Sequence, residues 1–505
     1  RACGLAPELV TRIARGHHPV RSEDITIVPR EPNFVGTFDL TSHSGPWDYL
    51  QEVPLVLYGP GVIPARGDVN DPVDHTSIFP TVGTLADVSL PETSATSLLR
   101  PEERGTTPRV IVVIVWDGAG RATLERWPDA WPTLRRLGAE GMNFPAATVG
   151  SSPSVTSAVH STMATGRFPG RHGITGNELR RPSGELEPTF AGLQTQRLEV
   201  PTFADVVDER LDNLPKVGLL GWTRWHLGLL GHGASRPGGD RDELALIHQE
   251  GSGASVHGNE DVYELPSGLE DAASIEQLIR AVDRADGEVD GLWLGHDITL
   301  SPDNQSWTTY SNPAWARYQA RLAVAMMERG GYGTDAVPDL FLTNFKMTDL
   351  AGHRWGIDAP EMRAVVTAQD EALAEIVAFL DNRIGDYALF VTSDHGASRL
   401  AEQSGAWPIA QSQLIDDVNA HFDVASSESL IESSAAFGFY LDREVAESLD
   451  VTAEDVSLFL NGYTIRENWA ARSLPRGYTD RGNETVLEAA WPSDLIGDVS
   501  RCSKS

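Results

Sequence analysis

Lysine is nearly missing from this chain. Lys216, Lys346 and Lys504 are the only three in 505 residues, so arginine carries almost all of the positive charge. Basic residues total 40 against 72 acidic ones, a formal net charge of -32. Such a surface excludes a nucleic-acid backbone or an anionic membrane as the main partner. An anionic small molecule would need local positive charge, which bound metal can supply. Apolar runs are also short, and none approaches the roughly 20 residues that span a bilayer. Cysteine is reduced to Cys3 and Cys502, one at each end. They are either unrelated free thiols or a bond pinning the termini together, and a bond would imply an oxidising, extracytoplasmic or secreted setting. The chain opens on Arg1, as expected of a sequence that has lost a leading piece, and the remainder shows no signal-peptide pattern.

What is present suffices for a large core. At 41% hydrophobic and 22% charged residues, the chain reads as globular, with one large α/β domain or two smaller ones. In residues 1–92 the pattern predicts a helix over 6–15, strands over 24–29 and 53–58, and a helix over 76–90. Residues 93–107, within a polar segment bounded by prolines, read as a linker. Val110–Trp116 is an unbroken β-branched run, the signature of a parallel strand buried on both faces. A helix follows over about 130–141. Residues 200–330 alternate helical pieces with Gly-rich segments and read as a cap or insertion. Strands are expected again at 340–345 and 388–392. Between them lies a helix from about 358 to 380, capped by Asp358 with an early Pro360 and Glu361. No internal repeat is visible.

Alternating strands and helices imply a doubly wound α/β sandwich, in which function gathers beyond the carboxyl ends of the strands. Asp117, Asp349, Asp394 and His395 all fall there. Carboxylate and imidazole are ligands that a cation such as zinc accepts when thiolates are absent. Asp349 and His353 stand four apart around a Gly turn, and Asp394 adjoins His395. The stretch Ala147–Asn177 adds hydroxyls before a helix start, where an N-terminus stabilises an arriving anion. His160, His172, His226 and His232 read as packing or cap residues, and the tryptophans around Trp222 as core.

Taken together, several motifs resemble the type I phosphodiesterase/nucleotide pyrophosphatase family of the alkaline phosphatase superfamily. They are Asp117 after a hydrophobic strand, Thr165-Gly-x-x-Pro-x-x-His-Gly-Ile174, Asp349-x-x-Gly-His353 and Asp394-His-Gly396, in order from about 108 to 400. The resemblance implies an alkaline phosphatase-like three-layer αβα sandwich with a mostly parallel central sheet and a cap insertion. It also implies a nucleophilic threonine twenty-one residues before a phosphoryl-binding asparagine. Counting back from Asn177 gives Thr156, with Ser154 and Ser157 as neighbours.

The family's remaining histidine normally lies near the C-terminus, where this chain offers only His421 in a helix-like context. The matching segment stands instead at the front, around His43 and Val53-Pro-Leu-Val-Leu-Tyr58. Residues 1–92 therefore resemble the family's C-terminal portion moved forward by circular permutation, and 108–505 the remainder of one catalytic domain. The other origin to weigh is a fragment of a neighbouring domain. On the resemblance, two divalent metal ions, zinc by analogy, would be held by Asp349, His353 and His43, and by Asp117, Asp394, His395 and Thr156. Ligand type alone also admits Mn or Fe.

The implied activity is hydrolysis of a small, nucleotide-like phosphodiester through a phospho-threonine. A phosphomonoesterase on the same centre and a non-catalytic binding protein are the alternatives. A sulfatase is excluded because no Cys or Ser stands in the x-Pro-x-Arg pattern that such enzymes modify.

Overall fold

The computed structural model describes residues 1–36, 41–304, 307–435, 437–469, 471 and 473–504. Its strands used below are β1 (Ile25–Pro29), β2 (Leu55–Tyr58), β3 (Gly67–Asp68), β4 (Val110–Trp116), β5 (Met142–Asn143), β6 (Val217–Gly221), β7 (Glu243–Glu250), β8 (Gly253–His257), β9 (Asp339–Phe345), β10 (Tyr387–Thr392), β11 (Ile431–Ala435), β12 (Gly438–Leu441) and β13 (Leu487–Pro492). The helices are α1 (Pro7–Gly16), α2 (Ile78–Ala86), α3 (Pro132–Glu140), α4 (Thr156–Thr165), α5 (Phe203–Arg210), α6 (Pro313–Gly330), α7 (Met347–Trp355), α8 (Pro360–Phe379) and α9 (Ile496–Cys502).

β4 shows why the molecule has three layers. All seven of its residues are buried, and alternate side chains enter two separate cores. Val110, Val112, Ile114 and Trp116 pack towards α3, α6 and α8, whereas Ile111, Val113 and Val115 pack towards α2, α4 and α5. A strand apolar at every position has no face for water and so needs helices on both sides. Each fully buried Val or Ile contributes about 1.5–3 kcal/mol, which makes this strand a stable centre. The sheet order is β8-β7-β6-β9-β4-β10-β2-β5-β3. The inner run β7-β6-β9-β4-β10 is parallel throughout.

Residues 1–92 are woven into this body. β2 pairs antiparallel with β10, matching Leu55 to Thr392 and Tyr58 to Leu389. β1 is central in a second, antiparallel sheet of order β11-β12-β1-β13. The two ends of the chain share one apolar cluster, including Leu5, Val10 and Ile13 from the front and Trp491 and Val499 from the back. Cys3 and Cys502 are disulfide-bonded there, which settles the open cysteine question in favour of pairing.

Two boundaries differ from the sequence reading. Within 200–330, β6, β7 and β8 extend the central sheet and α6 covers it, so the part outside the sheet is smaller than expected. β6 is only five residues long and two of the five are Gly (Gly218 and Gly221), too short and too Gly-rich to announce itself. The cap of α8 is Ala359 rather than Asp358, whose carboxylate pairs instead with Arg126 at 2.6 Å and Arg399 at 3.3 Å.

Candidate active site

β4, β9 and β10 are neighbours in the sheet and run in the same direction, so their carboxyl ends open onto one place. Asp117 follows β4 directly, and Asp394-His395 follows β10. After β9 the chain turns into α7, and Asp349 and His353 sit four apart within that helix. The expected Gly turn between them is absent. Gly352 is helical, and an i, i+4 spacing places both side chains on one face. At Gly118 the φ of +70° and the approach of Asp349 Cα, 3.0 Å from where a Cβ would stand, leave room for glycine alone. Its N–H donates to Asp394 Oδ1 at 3.1 Å.

His43 arrives from outside the sheet on a loop stitched to both sides of the site. Thr41 Oγ1 donates to the Gly352 carbonyl at 3.0 Å, and Ser42 N–H donates to Ser398 Oγ at 2.9 Å. Ser154 Oγ donates to the His43 carbonyl at 2.5 Å. The three histidines share one arrangement. Nδ1 of His43 faces the Ser154 carbonyl at 3.0 Å, that of His353 the Thr41 carbonyl at 3.3 Å, and that of His395 the Gly396 carbonyl at 2.9 Å. A carbonyl only accepts, so each Nδ1 carries a proton and Nε2 is the ring nitrogen left to face the site. All three Nε2 atoms converge on Asp349 Oδ1, at 3.8, 3.3 and 3.9 Å respectively.

His43, Asp349 and His353 form one candidate metal group, and Asp117, Asp349 and His395 another. Asp349 is common to both. Asp394 is beside the second group rather than within it, its Oδ1 lying 3.7 Å from His395 Nε2. Asp117 Oδ1, Asp394 Oδ2 and His395 Nε2 are buried without a hydrogen-bond partner. Buried carboxylate and imidazole atoms left unpaired are costly, and a divalent cation relieves that cost. These residues therefore fit a metal centre.

The electrostatics follow from burial among like and unlike charges. Burial and the neighbouring Asp117 raise Asp394 to about 7. Burial disfavours charged His395, but Asp394 and Asp117 outweigh it and raise the imidazole to about 9. Burial and the neighbouring His395 hold His43 well below its ordinary value. For Asp349 burial acts upward, yet Lys346 and His353 hold the carboxylate far below the usual range.

Thr156 is the first residue of α4, only 3% exposed, with Val155 at the cap making no side-chain bond to the free N–H groups. Asn177 is at the surface, and its Oδ1 accepts from Ser157 Oγ at 2.9 Å. That bond ties the amide to the first turn of α4, next to Thr156, and leaves its NH2 as a donor. His172, whose Nε2 faces Thr162 Oγ1 at 3.1 Å, is structural as read. So is His232, bound to Asp205 at 2.9 Å.

Four residues were missed. Lys346 Nζ lies 2.9 Å from Oδ2 of both Asp117 and Asp349. Asn344 Nδ2 donates to Asp117 Oδ2 at 3.2 Å and to His160 Nε2 at 3.1 Å. His160 is 3.9 Å from Asp394 Oδ2, and His226 is 3.7 Å from Asp117 Oδ2, so neither is mere packing. For Lys346 and Asn344 the available signal was their position at the end of β9, where Asp349 had already been noticed. For His160 it was the one-turn spacing from Thr156. His226 lay on a segment whose destination no local pattern revealed.

Known proteins resemble this chain to different extents. Alkaline phosphatase PafA of Elizabethkingia meningoseptica is 21% identical over 400 residues, covering 69% of this chain and 72% of the relative. Alkaline phosphatase PhoD of Zymomonas mobilis is 22% identical over 308 residues, covering 55% of this chain and 51% of the relative, so the match spans about half of that protein. A crystal structure of PafA superposes with a TM-score of 0.53 at 17% identity, covering 76% of this chain and 84% of that one, which speaks for the fold. The sequence model of type I phosphodiesterase/nucleotide pyrophosphatase matches residues 111–217 and 261–472. The chain therefore belongs to the type I phosphodiesterase/nucleotide pyrophosphatase family of phosphoester hydrolases and has an alkaline phosphatase-like fold.

Proposed function

We propose that this protein hydrolyses small phosphodiesters or pyrophosphates of nucleotide-like compounds, with Thr156 as nucleophile. The observation that carries this reading is the convergence of three Nε2 atoms, each with Nδ1 tied to a carbonyl, on the carboxylate of Asp349. Asp349, His353 and His43 would hold one divalent ion, and Asp117, Asp394, His395 and the Thr156 oxygen a second; zinc suits this donor set. Bound there, the pair of ions supplies positive charge for the attacking and leaving oxygens of an in-line displacement.

The chain's own residues do the rest. Thr156 attacks phosphorus from the first turn of α4, whose free N–H groups favour the anionic phosphoryl group. Asn177, oriented by Ser157, donates its NH2 to a nonbridging oxygen. The leaving alcohol or phosphate departs opposite Thr156, and water then hydrolyses the phospho-threonine. Lys346 holds the outer oxygens of Asp117 and Asp349, which fixes how their other oxygens face the centre.

Zinc-loaded protein should hydrolyse bis(p-nitrophenyl) phosphate faster than p-nitrophenyl phosphate, and EDTA should abolish both. Faster monoester turnover would transfer the assignment to a phosphomonoesterase, the activity that the names of PafA and PhoD favour. No turnover with either ester, despite full metal occupancy, would leave a binding protein.

We also infer that residues 1–92 are the family's C-terminal portion carried to the front and joined through 93–107. The pairing of β2 with β10, the entry of His43 and the meeting of the two chain ends support this reading. A rearranged chain that starts at 108 and carries 1–92 after 505 should fold with Tm within about 5 °C of the original and keep its turnover. Failure to fold would refute a permuted origin. The Cys3–Cys502 bond supports an oxidising, extracytoplasmic setting.

A further inference from the structure

His226 is held the opposite way round from His43, His353 and His395. It lies in a short 3₁₀ turn, Arg224–Leu229, on the segment that leaves β6. That turn fixes the ring. Nδ1 accepts the Trp222 N–H at 3.0 Å and the Thr223 N–H at 3.4 Å, the second of these as part of a capping box. Gly221 makes room, since a Cβ there would stand 2.7 Å from Nδ1. A backbone N–H only donates, so Nδ1 is the lone-pair nitrogen and Nε2 carries the proton. In the other three rings Nδ1 faces a carbonyl instead.

The ring is wholly buried, and its Nε2 lies 3.7 Å from Asp117 Oδ2 with no other polar partner. The same oxygen already accepts from Lys346 Nζ at 2.9 Å and from Asn344 Nδ2 at 3.2 Å. Oδ1 of Asp117 has no hydrogen-bond partner and faces His395 Nε2 at 3.4 Å. The two oxygens of one carboxylate thus have different surroundings, proton donors around Oδ2 and an open side at Oδ1. A ring nitrogen that bears a proton has no lone pair for a cation, so His226 stands behind a ligand rather than among the ligands. Its turn is also seated on the helix that carries Thr156, because a Cβ at Gly228 would stand 2.9 Å from the Ser161 backbone nitrogen on α4.

We propose that His226 is a positioning residue whose Nε2–H completes the donors on Asp117 Oδ2, so that Asp117 offers an ion Oδ1 alone. The inference rests on the metal-dependent reading given above. Donors on the outer oxygen of a ligating carboxylate orient it and keep it from swinging to bind through both oxygens. Through this contact the segment after β6 is tied to the centre.

The test uses the full-length protein, zinc chloride and the variants His226→Phe and His226→Gln. In wild-type protein carrying isotope-labelled histidine, the ring signals that vanish in His226→Gln should show a proton on Nε2, both before and after zinc is added. Competition against a chelator should show the ion that survives His43→Ala bound about 10- to 100-fold more weakly in His226→Phe, with the other ion unchanged. Glutamine keeps an N–H donor at similar reach, so His226→Gln should return that affinity to within about 3-fold of wild type. A proton on Nδ1, loss of the Nε2 proton on zinc loading, or variants that melt lower yet bind both ions as wild type does would overturn the proposal alone. A wild-type protein that binds no zinc would overturn the metal-dependent reading and this inference with it.

Discussion

The two halves of the candidate metal centre are built differently. Asp117, Asp394 and His395 are wholly buried at the ends of neighbouring parallel strands, where the β4–β10 ladder sets their spacing. The His43–Asp349–His353 half is partly open, with the histidine side chains 15% and 22% exposed. His43 belongs to no strand of the sheet and depends on a loop held by Thr41, Ser42 and Ser154. The inner half thus inherits the rigidity of the core, while the outer half relies on a few hydrogen bonds worth roughly 1 kcal/mol each. The outer half should therefore yield first to chelation or mutation.

The largest expected effect tests what both halves serve. Thr156→Ala should lower kcat/KM by about 10^4-fold or more while leaving Tm near wild type. Wild-type-like turnover would remove the nucleophile from this position.

The comparison itself is sharpened by metal stoichiometry. His43→Ala should lose one of two ions, with affinity down by about 100-fold, and keep the inner one. Ser154→Ala, which frees the loop without removing a ligand, should weaken the same ion by about 10-fold. Equal loss of both ions in either variant, read by metal analysis after dialysis, would show that the halves are not separable.

A separate test concerns acid. His75 is buried, its Nε2 3.1 Å from Thr392 Oγ1 at the end of β10, and burial lowers its pKa to about 3. Folding therefore favours the neutral imidazole. Its contribution is fully present above about pH 6.5 and is lost as pH falls from there towards 3, by roughly 1.4 kcal/mol per pH unit. Denaturation curves from pH 7 to 4 should show that slope in wild type and a shallower one in His75→Gln. Parallel curves would mean that His75 does not couple acid to the inner half.

How far the sequence was legible follows the same division. β4, β9, β10 and α8 appeared with nearly correct bounds because burial on both faces, or along one stripe, writes itself into consecutive side chains. Asp117, Asp349, Asp394 and His395 were legible as strand-end residues for that reason. His43 was found only through a resemblance to sequence found elsewhere in the family, since nothing local marks it as a neighbour of Asp349. Lys346, Asn344, His160 and His226 escaped because a single polar residue on a buried element carries no periodicity. The rarity of lysine was a clue left unused: one of three in the chain ends up between two carboxylates of the centre.

The sequence alone determined the α/β class and the parallel core, and it singled out the stretch Ala147–Asn177 as the candidate place for a nucleophile, since these depend on local pattern and spacing. Tertiary structure alone decided that Asp349 is common to two candidate metal groups, that three imidazoles present Nε2 to it, and that Asp394 takes the Gly118 N–H. It also decided that the two ends of the chain meet at a disulfide. Each of these is a contact between residues far apart in the chain. Such contacts are set by how strands stack and where loops return, information that no window of consecutive residues contains.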